Sequence, residues 1–62
     1  MFKVITYRHK DETKSEIHLV CEAKYALNKL IKDGAFILSV VAKTSLQDAR
    51  EYQTKALDRT EL

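Results

Sequence analysis

Ala-Phe-Ile-Leu-Ser-Val-Val-Ala-Lys, residues 35–43, is the longest nearly unbroken apolar run in this chain of 62 residues. It is rich in β-branched and aromatic residues, it lies between Asp33-Gly34 and Thr44-Ser45, and it is too short to span a bilayer. These features predict a β-strand over residues 35–43. Because an isolated strand cannot satisfy its own backbone, the rest of the chain must supply a sheet for it to join and a helix to cover it.

Two further strands are predicted ahead of this run, over residues 1–9 and 15–21. Both segments alternate apolar and polar side chains, and the residues between them are all polar, which is typical of a hairpin loop. A tight turn centred on Glu12 and Thr13 pairs His9 with Glu16. Continued along the hairpin, the same register pairs Ile5 with Val20.

Two helices are predicted from a change to helical period. The first covers residues 22–33, has Gly34 placed to end it, and carries one apolar stripe: Ala23, Ala26, Leu27, Leu30 and Ile31. The second covers residues 45–59, with Thr44 or Ser45 as a cap, and its apolar arc is thinner: Leu46, Ala49, Tyr52, Gln53, Ala56 and Leu57.

The handedness of crossover connections then predicts the topology. A right-handed connection from the second strand through the first helix makes the third strand parallel to the second, so the third strand lies beside the first. The predicted fold class is α+β. It is a single domain spanning residues 1–62, in which a three-stranded antiparallel sheet of order 2-1-3, with ββαβ connectivity, packs on one helix and is followed by a C-terminal helix.

Size and composition limit the function. A chain of this length is predicted to form a marginal core without a deep substrate cavity, and its net charge of +2 is a weak signal for a nucleic-acid or anionic-lipid partner. The single Cys21 cannot form an internal disulfide, and no segment resembles a signal peptide or a membrane span. We therefore expect a protein of the reducing cytoplasm that does not enter a membrane.

Catalytic and metal motifs are not found in the sequence. The soft ligands His9, His18 and Cys21 do not follow zinc-site spacings, and Cys21 is predicted to be a buried thiol at the end of a strand. Asp11 and Glu12 are expected in a solvated loop, and one glycine cannot build a glycine-rich phosphate loop. The sequence predicts no enzymatic activity, no cofactor and no bound metal.

Protein binding is the function that the predicted fold favours. The first helix covers one face of the sheet, which leaves an apolar second face and an open edge beside it. The predicted contact residues are Ile5, Tyr7, Val20, Ile37, Ser39, Val41 and Lys43. The partner is another protein or a second copy, bound through the edge strand or the C-terminal helix. In the alternative, that helix covers the second face and completes the monomer.

Nucleic-acid binding is the alternative function. Lys24, Lys29 and Lys32 are predicted to share the outer side of the first helix, where they could contact phosphates. The same lysines also suit a solvated helix face, which needs charge for solubility.

The order of polar hairpin, short helix and Gly-aromatic-β-branched strand resembles that of small bacteriophage-encoded proteins that disable a host machine, such as the phage inhibitor of bacterial RNA polymerase. The resemblance covers residues 4–43 and is carried by Ser15-Glu-Ile-His-Leu-Val-Cys-Glu-Ala-Lys-Tyr-Ala-Leu and Gly34-Ala-Phe-Ile-Leu-Ser-Val-Val. It implies a small non-enzymatic protein that inhibits or modulates a host protein by occupying its surface. That family uses charged side chains on and beside its last strand, whereas here the corresponding positions are Ser39, Val41 and Lys43, so only the class is carried over.

Overall fold

The computed structural model of the protein describes residues 1–60, with side chains for residues 1–56. It contains three strands and two helices: β1 (Phe2–His9), β2 (Glu12–Leu19), α1 (Val20–Lys32), β3 (Phe36–Lys43) and α2 (Leu46–Thr60). The strands form one antiparallel sheet in the order β2-β1-β3. The α+β class and the strand order predicted from the sequence are therefore confirmed.

The β1–β2 hairpin turns earlier than the sequence predicts. Lys10 and Asp11 have φ angles of 51° and 66°, which makes them a two-residue turn whose twist matches that of the flanking strands. His9 therefore pairs with Glu12, and Ile5 pairs with Glu16. The predicted register is wrong because the turn lies at the start of the polar segment instead of its middle.

The early turn also moves the boundary between β2 and α1. The predicted second strand is present, but its bounds of residues 15–21 are wrong, because β2 covers Glu12–Leu19 and helix α1 begins at Val20. Cys21 consequently lies in α1 with an exposed thiol, and the expectation of a buried strand thiol is wrong. Leu19 provides no side-chain cap, but the Val20 N–H donates to the Met1 carbonyl at 3.2 Å.

Helix α1 ends as its glycine predicts. Gly34 has φ of 88°, and its N–H donates to the Ile31 carbonyl at 3.1 Å. The Ala35 N–H donates to the Leu30 carbonyl at 2.9 Å, which completes the paired bonds of a Schellman motif. These bonds satisfy two carbonyls at the end of the helix and turn the chain into β3.

The two helices cover opposite faces of the sheet. Val4 and Ile5 are neighbours on β1, so they point to opposite faces, and neither has any exposed surface. Helix α1 lies over the face of Ile5 and Tyr7, where Ala26 and Leu30 line a cleft with Tyr7. Helix α2 therefore covers the face of Val4. Of the two arrangements that the sequence left open, the structure has the one in which the C-terminal helix covers the second face of the sheet.

Helix α2 is attached by small and polar side chains. The Ser45 Oγ accepts the Asp48 N–H at 3.2 Å, as expected for the cap, and Ala49 is fully buried. The Gln53 Nε2 donates to the Ser15 carbonyl at 2.8 Å. The side chain of Leu57, predicted to belong to the apolar arc, lies outside the described residues.

A bulge in β3 changes which residues share a face. Thr6 pairs with Ser39 and Tyr7 pairs with Ile37, so Leu38 is an extra residue in β3. As a result, Ile37 lies on the α1 face and Val41 on the α2 face. The prediction that Ile37 and Val41 lie together on one uncovered face is therefore wrong.

Candidate protein interface

The predicted contact residues do not form one surface. Ile5 and Tyr7 are buried in the monomer, so a partner cannot reach them, and this part of the prediction is wrong. Val20 is a helix residue instead of a strand residue. The remaining predicted contacts lie on β3 and are all half-buried: Ile37, Ser39, Val41 and Lys43.

Lys43 is held on the α2 face of the sheet. Its Nζ lies 4.8 Å from the centroid of the Tyr52 ring, within the range of a cation–π interaction. The contact links the end of β3 to α2. Lys43 therefore stabilises the packing of α2, and its charge lies beside the Tyr52 ring of that helix.

The outer edge of β3 exposes large apolar side chains instead. Phe36 is 70% exposed, Leu38 is 44% exposed, and Val40 is also exposed. In the described residues β3 pairs with β1 alone, so the N–H and C=O groups on its outer side have no strand beside them. An edge of this kind is suited to pairing with another strand.

The flank of α1 above β3 exposes apolar side chains beside Lys24. Lys29 lines the cleft over β2 together with Glu16 and His18, which identifies that side of the helix as its β2 flank. Val20 and Ile31 lie on the opposite flank, and Ile31 is 59% exposed although the sequence assigns it to the buried stripe. We call Val20, Ile31, Phe36, Leu38 and Val40 together the β3 surface.

The β3 surface carries no charge of its own. From Gly34 to Ala42 the chain has no ionisable side chain, and the Lys43 ammonium group makes a cation–π contact with Tyr52. The core of a protein interface is likewise depleted in charge and enriched in aromatic residues. The geometry therefore provides an apolar surface next to a row of backbone hydrogen-bonding groups.

The opposite edge holds a polar cluster on β1 and β2. The Tyr7 hydroxyl donates to Glu16 Oε2 at 2.8 Å, and His18 Nε2 donates to Glu16 Oε1 at 2.8 Å. The bond from His18, assisted by that from Tyr7, lowers the pKa of Glu16, whereas burial and the bond to Glu16 raise the pKa of Tyr7. At neutral pH the cluster is an ionised carboxylate between two donors, and it ties β2 to β1.

This cluster borders an open cleft of about 340 Å³ between α1 and the sheet. At its far end the His9 Nε2 donates to the Asp33 carbonyl at 3.1 Å, which joins β1 to the end of α1. In the described part of the chain, no three histidine, cysteine, aspartate or glutamate residues converge in a way that could hold a metal ion.

The three lysines of the nucleic-acid alternative are exposed but point in different directions. Lys29 lies on the β2 flank of α1 beside Glu16, whose pKa its charge helps to lower. Lys24 lies about 140° away around the helix, near the β3 flank, and Lys32 lies between them. The structure therefore distributes these charges around the helix instead of gathering them into one patch.

No helix in the described residues combines the length and the apolar character needed to cross a membrane. The resemblance to the phage inhibitors rests on the residue pattern in residues 4–43. The chain has no significant match among protein-family models, curated proteins or solved structures.

Proposed function

We propose that this chain is a protein-binding module whose working element is the open edge of β3. The observation that carries the proposal is the exposure of Phe36, Leu38 and Val40 along an uncharged edge strand. Natural proteins usually protect such an edge with charge, proline, a β-bulge or a covering segment, or they use it, and of these devices β3 has the bulge at Leu38. No proline occurs in the chain, and no charge lies within β3 before Lys43.

The mode of binding is the addition of a strand from the partner. Backbone hydrogen bonds to β3 supply affinity, and the exposed side chains beside them supply specificity. Phe36 is an aromatic anchor of the kind that dominates interface energetics. Val20 and Ile31 extend the contact above the sheet.

The form of activity that we propose is the inhibition or modulation of a host protein by occupation of its surface, in the host cytoplasm and without catalysis. The residue-pattern resemblance to phage-encoded inhibitors supports it, as does the small size of the chain. Recognition here is apolar and made by the main chain, because the charged residues that the inhibitor family uses are replaced by Ser39 and Val41.

The test is affinity capture from a host lysate with the wild-type chain and with Val40→Lys. A lysine at this edge position places an unpaired charge in the contact, so we expect capture of the partner to fall at least about tenfold. Gln47→Lys is the matched control, because it adds the same charge at an exposed position of α2.

Circular dichroism of both variants checks that the fold is retained. Equal capture by the wild-type chain and by folded Val40→Lys would contradict the proposal. The experiment is repeated after nuclease treatment, and we expect no change. If nuclease abolished capture, nucleic-acid binding through Lys24, Lys29 and Lys32 would replace protein binding as the better explanation.

A further inference from the structure

The β3 surface has parts in two layers of the molecule. Leu38 and Val40 lie in the sheet, whereas Val20 and Ile31 lie in the helix layer above it. An extended peptide paired with β3 would occupy the sheet layer alone, below α1. A partner that covers Val20 and Ile31 as well as the edge of β3 must therefore present an edge strand with a helix stacked on the α1 face. Phe36, which pairs with Arg8, lies on the other face of the sheet.

We infer that this partner is a second copy of the chain, paired through β3 about a two-fold axis normal to the sheet. The two β3 strands run antiparallel and join the two sheets into one of six strands. Because the axis is normal to the sheet, both α1 helices lie on the same face, and the flanks that hold Val20, Lys24 and Ile31 approach each other across the axis. Repulsion between the two Lys24 side chains weakens this contact. The inference rests on the proposed function, since it requires the β3 edge to accept a strand.

The charge distribution agrees with pairing between identical strands. A two-fold axis brings the central residues of β3 close to their own copies, so a charge there would meet a like charge. The centre of β3 is Leu38-Ser39-Val40, which carries none. In β2 the residues Glu12, Lys14 and Glu16 are charged.

The charges on β2 explain why β3 pairing would stop at a dimer instead of continuing to larger assemblies. If β3 of one copy added to β2 of the next, each added copy would leave a free β3, and the assembly would grow as a filament. The charges of β2 and the Gln53 bond to the Ser15 carbonyl oppose this contact. Pairing of β3 with β3 uses the edge that has no charge before Lys43, where the bulge at Leu38 is the feature that opposes regular pairing.

The expected dimer is weak. Pairing through one eight-residue strand, interrupted by the bulge at Leu38, with one helix flank is a small interface, and small interfaces are transient. We expect a Kd between about 1 µM and about 100 µM. A target that pairs with β3 could therefore displace the second copy, so self-association would compete with target binding.

The test is sedimentation velocity over a range of protein concentrations, with hydrogen exchange of the backbone amides. We expect wild-type chain to shift from monomer to dimer with increasing concentration, and the amides of β3 to become protected while those of β2 do not. Ile31→Glu and Val40→Lys should each raise the Kd at least about tenfold. Ile31 is 59% exposed, so its replacement leaves the core intact.

Tyr25→Glu is the matched control for Ile31→Glu, because Tyr25 is a 75% exposed apolar residue of the same helix that lies about 120° around its axis from Ile31. It should dimerise like the wild-type chain. A wild-type chain that stays monomeric at about 1 mM would overturn the inference. So would a dimer that Ile31→Glu and Val40→Lys leave unchanged. If a monomeric chain still captured a target through β3, the dimer would be refuted while the proposed function stood.

Discussion

The two edges of the sheet have the same backbone geometry and opposite side-chain chemistry. Strand β2 carries Glu12, Lys14 and Glu16, and helix α2 reaches it through Gln53. Strand β3 is equally long but carries no charge before its last residue, and Leu38 and Val40 are exposed along it. Topology leaves both edges unpaired among the described residues. Side chains, and not topology, therefore decide which edge is available to a partner.

The charges of β2 do more than repel strands. Lys14 Nζ lies 3.5 Å from Glu12 Oε2, and Glu16 joins Tyr7 and His18 in one hydrogen-bonded cluster. The first contact is solvent-exposed and contributes little to stability, whereas the second is half-buried and contributes more. Glu12 and Lys14 thus protect β2 from pairing with another strand, whereas Glu16 attaches β2 to β1. Mutations can test these two roles separately.

The largest effect is expected from removing the exposed charges of β2. Glu12→Thr together with Lys14→Val removes the two exposed charges of this edge, so β3 of one chain can add to β2 of the next. We expect species larger than a dimer that grow with protein concentration. Light scattering and sedimentation velocity measure them.

The matched control for this pair is Glu51→Thr with Lys55→Val, which makes the same changes at exposed positions of α2. It should leave the size distribution as in the wild-type chain. If the β2 double variant also kept the wild-type distribution, charge would not be what protects this edge.

An intermediate effect is expected from Glu16→Gln. The hydrogen bonds from His18 and Tyr7 lower the pKa of Glu16, so between the folded and unfolded pKa values the unfolded chain binds more protons, and stability rises with pH. The contribution is therefore present above about pH 4.3 and is lost as the pH falls through the lowered folded pKa. After discounting for partial exposure, Glu16→Gln should cost about 1 kcal/mol at pH 7.

Urea unfolding followed by circular dichroism between pH 3 and pH 7 measures this difference. The free energies of the wild-type chain and Glu16→Gln should converge at the acidic end, whereas Glu51→Gln should match the wild-type chain throughout. A constant difference across the pH range would mean that the charge of Glu16 is not the stabilising feature.

The smallest effect is expected from Gln53→Ala. This change removes the 2.8 Å bond from α2 to the Ser15 carbonyl and should lower the free energy of unfolding by about 0.5 kcal/mol, because the bond is neutral and half-buried. Gln47→Ala, at an exposed position of the same helix, controls for the higher helix propensity of alanine. Hydrogen exchange should accelerate in β2 for Gln53→Ala alone, and equal exchange in the two variants would exclude a role for this bond.

Element types and their order were predictable because their signals are local. The period of α1, Gly34 after it and the apolar run of β3 each depend on neighbouring residues, and the handedness rule turned this order into a sheet topology. The hairpin register was not predictable. Lys10 and Asp11 form a left-handed turn without the Asn-Gly or Asp-Gly pair that usually signals one.

The sequence predicted that the candidate interface is an apolar strand edge, but it did not predict which residues form that interface. An apolar edge on the last strand could be predicted from the absence of charge and proline, and the structure places β3 at that edge. Its contact residues were misassigned because the bulge at Leu38 cannot be recognised from the sequence, where it lies within a run of consecutive apolar residues. The exposure of Ile31 was also missed, since the helical period identifies an apolar stripe but not where the sheet beneath it ends.

The amino-acid sequence by itself determined which segments are strands and helices, how they follow one another, and that one edge of the sheet lacks charge. The tertiary structure alone decided which side chains reach the surface. Side chains in a strand alternate between faces, so a shift in register or a single extra residue moves every later side chain to the other face. Such shifts are set by turn geometry and by packing between distant segments, which no local pattern of residues reports.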